Sequence, residues 1–185
     1  MRDLLLRIED LGWSIRCNYS LWLHGPYGLA KVIEKIPFRF IIKYLRKYGA
    51  TVGDNCRFER GINLHRPLAK PPFENLIIGN NVYLGHNIII DLTQKVVIED
   101  DVIIASGCKI WTHASYYERN NTKKNIYKEK FGEVNIKKSA LIYSDVIISQ
   151  GTTIGSNSKI GANSLVNKNV DNGDFFGGVP AVKIE

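Results

Sequence analysis

Divided into sixes, residues 136–171 read IKKSAL IYSDVI ISQGTT IGSNSK IGANSL VNKNVD. The leading residues are all isoleucine or valine: Ile136, Ile142, Ile148, Ile154, Ile160 and Val166. The fifth residues are all small or β-branched: Ala140, Val146, Thr152, Ser158, Ser164 and Val170. Two positions that follow one six-residue period indicate a solenoid, in which each hexad supplies a short strand and a turn. Stacking the hexads would bury each leading side chain against its equivalent in the next coil.

The same frame recurs upstream in three blocks. Their leading residues are Val52, Phe58 and Leu64, then Ile78, Leu84 and Ile90, then Ile98, Ile104 and Ile110. Their fifth positions, also predicted to point inward, include Cys56, Ile62, Leu68, Val82, Ile88, Val102 and Cys108. Three hexads, about 18 residues, close one triangular coil. The pattern therefore predicts an all-β solenoid of about five coils between Val52 and Val170, with the two cysteines as structural core thiols.

The frame breaks between the blocks. It breaks at the proline-rich segment RPLAKPPF, by two residues near Gln94, and across a polar stretch at about 114–133. We interpret the last break as a loop that leaves the coil.

The first 50 residues follow a helical pattern instead. Leu4, Leu5, Ile8 and Leu11 recur at three- and four-residue spacing. After a break around Gly25, a second candidate helix extends to Gly49 and is interrupted at Pro37. We therefore divide the chain into an N-terminal helical segment, 1–50, and a β-helical domain, 51–185.

The segment after Pro37 predicts a basic amphipathic helix. Its predicted apolar face comprises Phe38, Ile41, Ile42, Leu45 and Tyr48. Its predicted basic face comprises Arg39, Lys43, Arg46 and Lys47. Such a helix is typical of membrane surfaces, and one hypothesis is that the cations around Lys43, Arg46 and Lys47 rest on an anionic membrane. The alternative is a helix that packs its apolar face on the domain and leaves its basic face in water.

Composition excludes several classes of protein. The 185 residues are 44% hydrophobic and 23% charged, which excludes disorder as the main state. The net charge of +7 suits an anionic partner without choosing among nucleotide, phospholipid and acidic glycan. Three cysteines without a CxxC pair argue against a disulfide framework or zinc ribbon. Short apolar runs and the lack of a signal-peptide pattern predict a cytoplasmic protein, either soluble or at the inner face of the cytoplasmic membrane.

Three stretches carry a family resemblance: IGNNVYLGHNIIID at 78–91, VVIEDDVIIASGCKIWTHAS at 96–115, and IGSNSKIGANSLVNKNV with GGVPAVKI at 154–184. From about Val52 to Ile184 the chain resembles the hexapeptide-repeat acetyltransferases, in particular the maltose/galactoside acetyltransferase-like O-acetyltransferases of bacterial surface-polysaccharide synthesis. The resemblance implies a left-handed parallel β-helix, a homotrimer, and transfer of an acetyl group from acetyl-CoA to a sugar hydroxyl.

The resemblance also implies site residues. It places the catalytic histidine at His113, where the frame gives way to the 114–133 segment. Histidine suits the chemistry, since a general base must take the proton of an alcohol and an imidazole titrates near cellular pH. His86, Asn87 and Asp91 are the candidates for acceptor binding. Asn87 would stand in for a family asparagine whose position falls at Gly85, and Asp91 is also the candidate supporting acid.

For the acyl donor, the resemblance implies a groove between two stacked β-helices. The matching positions are Ser144, Ser149, Gly161, Ala162, Lys168 and Lys183. Lys183 lies in the order PAVKI, whereas the family more commonly has PAKVI, so its phosphate contact is the weakest match.

Other functions stay open. A metal-dependent hydratase resembling the γ-class carbonic anhydrases needs three converging histidines. His24, His65, His86 and His113 are scattered, so we expect no metal. A non-catalytic assembly module is a second alternative, but it would need no histidine at the loop exit. A sugar N-acetyltransferase is a third, and only substrate tests could distinguish it from an O-acetyltransferase. Nucleic-acid binding would rest on net charge alone, so we expect no nucleic-acid partner.

Overall fold

The computed structural model describes residues 2–119 and 125–184. Two helices come first, α1 at Arg2–Ile33 and α2 at Phe38–Lys47. Three stacks of short parallel strands follow and form a three-sided β-helix.

Each of the three stacks forms one face of the β-helix. Face A contains β1 (Thr51–Val52), β4 (Leu76–Ile78), β7 (Val96–Ile98), β12 (Val134–Ile136) and β15 (Thr153–Ile154). Face B contains β2 (Arg57–Phe58), β5 (Tyr83–Leu84), β8 (Ile103–Ile104), β13 (Leu141–Ile142), β16 (Lys159–Ile160) and β18 (Phe175–Gly177), with β19 (Val182–Lys183) antiparallel at its end. Face C contains β3 (Asn63–His65), β6 (Ile89–Asp91), β9 (Lys109–Ile110), β14 (Ile147–Ile148) and β17 (Leu165–Val166). An antiparallel hairpin of β10 (His113–Arg119) and β11 (Asn125–Phe131) lies outside the faces.

The interior follows the six-residue frame. Every predicted leading residue is buried, and equivalent residues pair in register, as Ile104, Ile142 and Ile160 do on face B. One predicted inward position is wrong, since Leu68 is 51% exposed where the proline-rich segment leaves the frame. Cys56 is partly buried and packs against the core.

The corners explain why the frame is regular in some places and broken in others. At the corner from face A to face B, the turn residues with positive φ are Asn55, Asn81, Asp101, Ser139 and Asn157. At the corner from B to C they are Gly61, Asn87, Gly107, Asp145 and Asn163. Glycine, asparagine and aspartate tolerate this left-handed backbone. The third corner, from C to A, contains all three breaks of the frame, and we call it the irregular corner.

The two helices pack on the first coils and on each other. Their buried side chains belong to the same hydrophobic cluster as the coils, so the division into units at 1–50 and 51–185 stays a prediction. The helix α1 bends sharply at Gly25, as the sequence predicted, and α2 begins after Pro37. Of the predicted apolar face of α2, Ile41, Leu45 and the following Tyr48 are buried, whereas Phe38 is 55% exposed.

The basic face of α2 is bound within the chain. Arg39 pairs with Glu9, and Lys43 pairs with Asp10. The Arg46 guanidinium donates to the backbone carbonyls of Val52 and Gly53, and Lys47 Nζ lies 3.1 Å from Ser14 Oγ. These contacts favour the packing interpretation, because cations that already bind α1 and the first strand attract an anionic membrane less strongly.

The outward side of α1 is apolar instead. Its exposed side chains include Leu4, Leu5, Ile8, Leu11, Ile15, Tyr19, Trp22 and Leu23. Within the described part of the chain, neither helix combines the length and the hydropathy that crossing a bilayer requires.

Candidate active site

His113 lies at the irregular corner, where the hairpin leaves the coil. Its Nδ1 is 2.7 Å from Oδ2 of Asp91, the residue that ends β6 one coil below. A carboxylate only accepts, so Nδ1 carries a proton and donates a hydrogen bond to Asp91. In the neutral form of the ring, the lone pair is then on Nε2. The His113 side chain is 12% exposed and that of Asp91 is fully buried.

Donors surround the Asp91 carboxylate. Thr112 donates to Oδ2 from its backbone N–H at 2.9 Å and from Oγ1 at 2.6 Å. Thr93 Oγ1 donates to Oδ1 at 2.8 Å. Burial raises the pKa of Asp91, but the hydrogen bonds from His113, Thr112 and Thr93 outweigh it and bring the pKa below its usual value. Asp91 is therefore an ionised group that fixes the tautomer and orientation of His113.

This burial corrects one assignment. Asp91 was grouped with the acceptor-binding residues, yet its side chain has no exposed surface and its oxygens are used inside the coil. It cannot touch an acceptor, and its geometry is that of the supporting acid.

Two aromatic groups that the sequence did not single out flank His113. The ring of His65 stacks on the ring of His113 with centroids 5.8 Å apart, and Trp111 meets His65 edge-on at 5.6 Å. Burial lowers the pKa of His65, and the nearby cations add to this although Asp91 opposes it. His65 is therefore neutral at neutral pH and forms an uncharged wall beside His113.

The strand register could have predicted that His65 lies next to Asp91. His65 pairs with Asp91 across β3 and β6, so both occupy the same position in successive coils. The insertion at RPLAKPPF separates them by more than one regular coil in sequence, which concealed the equivalence.

The hairpin is fixed to the coils at its base. Gly132 N–H donates to the Thr112 carbonyl at 2.9 Å, and Arg66 Nη1 lies 3.1 Å from Glu129 Oε1. The described strands cover much of the loop predicted at about 114–133, while 120–124 lie outside the described residues. Apolar side chains of the hairpin are exposed, among them Tyr117 at 72% and Tyr127 at 52%.

His86 and Asn87 lie at a different corner. They form the turn between β5 and β6, from face B to face C, whereas His113 lies at the corner from C to A. His86 is exposed, and its Nε2 is 3.8 Å from Glu59 Oε2. Within one chain the structure does not bring these two residues to His113, so their assignment to its acceptor site stays a prediction that a neighbouring copy would have to satisfy.

The predicted donor residues fall on both of these corners. Ser149 and Lys168 follow β14 and β17 at the irregular corner, two strands that stack directly after the β9 strand preceding His113. Ser144, Gly161 and Ala162 lie at the corner from B to C. Lys183 Nζ is 2.7 Å from Asp174 Oδ1, which raises the pKa of this lysine. A donor phosphate would have to compete with that carboxylate.

The described residues contain no set of side chains that is arranged to bind a metal ion. Across 2–119 and 125–184, no three histidine, cysteine, aspartate or glutamate side chains are grouped so as to hold an ion.

We expect Asp91→Asn to cost about 1–3 kcal/mol of unfolding free energy at pH 7, because buried donors lose their ionised acceptor. Since the folded pKa of Asp91 lies below the ordinary 3.8, its stabilisation is present above that pH and is lost as the pH falls through the folded value. Urea unfolding at pH 7 and pH 3 should therefore show a difference from wild type that shrinks in acid. The control Asp145→Asn changes an exposed corner and should stay within about 0.5 kcal/mol. Equal effects of the two variants would contradict the assignment.

Known proteins include relatives of this chain in sequence and neighbours in fold. No family model matches the chain. The galactoside O-acetyltransferase of Escherichia coli is 33% identical over 138 residues, which cover 74% of this chain and 63% of that protein. The chain spans about three fifths of the length of the curated relatives it matches.

Solved structures share the fold. A hexapeptide-repeat acetyltransferase from Vibrio cholerae superposes with a TM-score of 0.71 at 19% identity, covering 88% of this chain and 90% of that one. A galactoside acetyltransferase in complex with coenzyme A gives a TM-score of 0.70 at 23% identity, covering 86% and 80%. The fold is the left-handed parallel β-helix that the family resemblance implied.

Proposed function

Because the chain belongs to the hexapeptide-repeat acetyltransferase family, we propose that it transfers an acetyl group from acetyl-CoA to a hydroxyl of a sugar. The observation that carries this proposal is the pair of His113 and a buried, ionised Asp91 at the corner where the hairpin leaves the coil. The same arrangement of a neutral imidazole held by a carboxylate serves general-base catalysis in other acyl transfers.

In the proposed reaction, His113 Nε2 takes the proton of the acceptor hydroxyl while that oxygen attacks the thioester carbonyl. The proton passes to CoA as its thiolate leaves, and the product is an acetyl ester. Asp91 stabilises the imidazolium that forms meanwhile, because its carboxylate already accepts from Nδ1. Both substrates are bound at once, and no acyl-enzyme forms.

The cysteines support direct transfer. Burial raises the pKa of both Cys17 and Cys108 to about 11, so these thiols are protonated and poorly nucleophilic. Cys108 Sγ donates to the Tyr143 carbonyl at 3.1 Å, on the inside of the coil.

For acetyl-CoA, the donor groove would include Ser149 and Lys168 on the side of His113. Exposed backbone at coil corners suits the amide-rich pantetheine arm, and a lysine suits a phosphate. Ser144, Gly161, Ala162 and Lys183 complete the proposed set.

We propose bacterial surface polysaccharide or lipopolysaccharide as the setting for the acceptor. Mass spectrometry of surface glycans from cells with and without this protein tests the setting. Sugars that each lack one acetyl group in the deficient cells are expected. Identical glycans in both strains would contradict it.

A sugar N-acetyltransferase is the second candidate, since the same base could deprotonate an amine during attack, and a non-catalytic assembly module is the third. Alkali separates the first two, because it cleaves an acetyl ester and leaves an amide. The assembly module predicts no turnover with any sugar.

We propose a homotrimer, in which the exposed apolar side chains of the hairpin pack against a neighbouring copy and close its cleft. Tyr117 and Tyr127, which are 5.5 Å apart in an edge-on pair, form part of this surface. Sedimentation equilibrium at micromolar concentration should give three times the chain mass of 20.9 kDa. A single chain mass would contradict the trimer.

We also propose that the protein is cytoplasmic and rests on the inner face of the membrane. The apolar side of α1, and not the basic face of α2, would make this contact. Leu11, Ile15 and Trp22 belong to that side. Wild-type protein should float with anionic liposomes, and the triple serine variant of these residues should not. The charge reversal of Lys43, Arg46 and Lys47 is expected to weaken flotation less. Failure of the wild-type protein to float would overturn this contact.

A further inference from the structure

The bend in α1 folds the helix back on itself. Gly25 has φ of 63° and ψ of −161°, and the next residue is proline. Beyond the bend, Gly28 lies so close to the first arm that a Cβ there would stand 2.8 Å from Ser20 Oγ and 3.0 Å from the Ser20 carbonyl oxygen. The two arms therefore meet at the elbow.

A cavity of about 560 Å³ lies on this side of the elbow, and we call it the elbow pocket. Two aromatic rings, Trp13 and Tyr19, contribute to its wall. Three permanent cations, Arg16, Lys31 and Lys35, line it as well, and no carboxylate is among its described lining residues. The Arg16 guanidinium lies 5.0 Å over the ring of Trp13, and Lys31 shares its charge with Glu34 at 3.2 Å.

This combination selects a particular ligand chemistry. Cations from both arms favour an anion, and phosphate oxygens are strong acceptors for arginine and lysine. Aromatic and apolar wall surface favours a planar or apolar body attached to that anion. A neutral sugar could stack on an aromatic ring but would leave the cations without a partner.

The chain beyond the bend, which lines the elbow pocket with Lys31 and Lys35, also contacts the strand that leads into the candidate active site. Asn63 Nδ2 donates to Glu34 Oε2 at 3.3 Å and so ties β3 to the arm that carries Lys31 and Lys35. β3 ends at His65, whose ring stacks on His113. Burial is the largest cause of the lowered pKa of His65. The charge of Lys31, which lies close enough to act on that ring, also lowers it. Lys31 of the pocket therefore lies on the side of α1 that is near His65, and through it near His113.

We propose that the elbow pocket binds the phosphate or diphosphate of a phosphorylated acceptor, in which the sugar is joined through that group to an apolar or planar body. This proposal rests on the proposed acetyl transfer to a sugar. A nucleoside and an isoprenoid chain are the two bodies that fit the wall, and the phosphate is common to both.

Isothermal titration calorimetry without acetyl-CoA tests the pocket. The probes are uridine diphosphate glucose, geranyl diphosphate, inorganic pyrophosphate and glucose. At least one of the two conjugates should bind more tightly than pyrophosphate, and glucose alone should not bind. The double variant Arg16→Gln/Lys35→Gln should weaken the conjugate at least about tenfold, because two of three cations are lost. Its CoA affinity should match that of wild type.

The matched control is Arg7→Gln/Lys159→Gln, which removes the same charge from exposed positions outside the pocket. It should bind the conjugate as wild type does. Equal weakening by both double variants, or no binding of either conjugate to wild type, would overturn the pocket. Pyrophosphate that binds as tightly as the conjugates would overturn the role of Trp13 and Tyr19.

Failure of the pocket is distinguishable from failure of the proposed function. Acetyl transfer to a neutral sugar without conjugate binding would overturn only the pocket. Conjugate binding that depends on Arg16 and Lys35, in a protein that acetylates no sugar, would overturn only the enzymatic proposal.

Discussion

His113→Ala is expected to lower kcat by about 10²–10⁴-fold, the usual cost of removing a positioned general base. The alanine cannot take the hydroxyl proton, and Asp91 is too deeply buried to replace the imidazole. CoA should bind unchanged, because the proposed donor residues lie on later coils. Steady-state kinetics with acetyl-CoA and a saturating sugar, together with CoA titration of the variant, measure both quantities.

Cys108→Ala is the control for this variant. It should lower stability, because Cys108 is fully buried, and leave the chemistry intact. A His113→Ala protein with near-normal turnover, beside an inactive Cys108→Ala protein, would replace the proposed mechanism with a ping-pong route.

Ile142→Asp is expected to destabilise the β-helix by about 4 kcal/mol or more, because it places an unpaired carboxylate in an apolar interior. Ile142 is fully buried between Ile104 and Ile160, its register partners in the coils on either side. No neighbouring hexad can move away without breaking its own strand pairing. Urea unfolding followed by circular dichroism measures the change, and loss of the soluble folded protein would be its extreme form.

The control makes the same change at an outward position. Ile103 is 45% exposed on face B, next to the buried Ile104. Ile103→Asp should cost less than about 1 kcal/mol as an ordinary surface substitution. Comparable losses from the two variants would contradict the inward and outward alternation of the coil.

The fold was predictable because each hexad is a local unit. A strand of two residues has one inward and one outward side chain, and the turn that follows needs a residue that accepts positive φ. Ile160 and Asn163 satisfy the two rules within a single hexad, so no distant contact is needed to set the frame.

The helices were less predictable because their faces depend on distant partners. The pattern located the bend at Gly25 and the start of α2, but not the pairing of Lys43 with Asp10 on α1. The same lack of tertiary information meant that the sequence did not predict the exposure of the apolar side of α1, where Trp22 is 80% exposed.

At the site, the resemblance supplied His113, and the structure supplies its surroundings. Asp91 was a candidate supporting acid, but its burial and its hydrogen bonds to His113 and Thr112 come from contacts between coils. His65 and Trp111 were missed because an insertion concealed their register. A usable signal was present, since every break of the frame falls at one corner, and an interruption of a repeat often marks function.

The central claim is that His113 activates a sugar hydroxyl for direct attack on acetyl-CoA. The most direct measurement incubates wild-type and His113→Ala protein with acetyl-CoA and a panel of sugars, and analyses sugar and protein by mass spectrometry before and after alkali. The proposed mechanism predicts an alkali-labile acetyl ester on a sugar with the wild-type protein, CoA release that requires the sugar, and loss of both in the variant. An acetylated protein formed without any sugar, or an undiminished ester yield from His113→Ala, would contradict it.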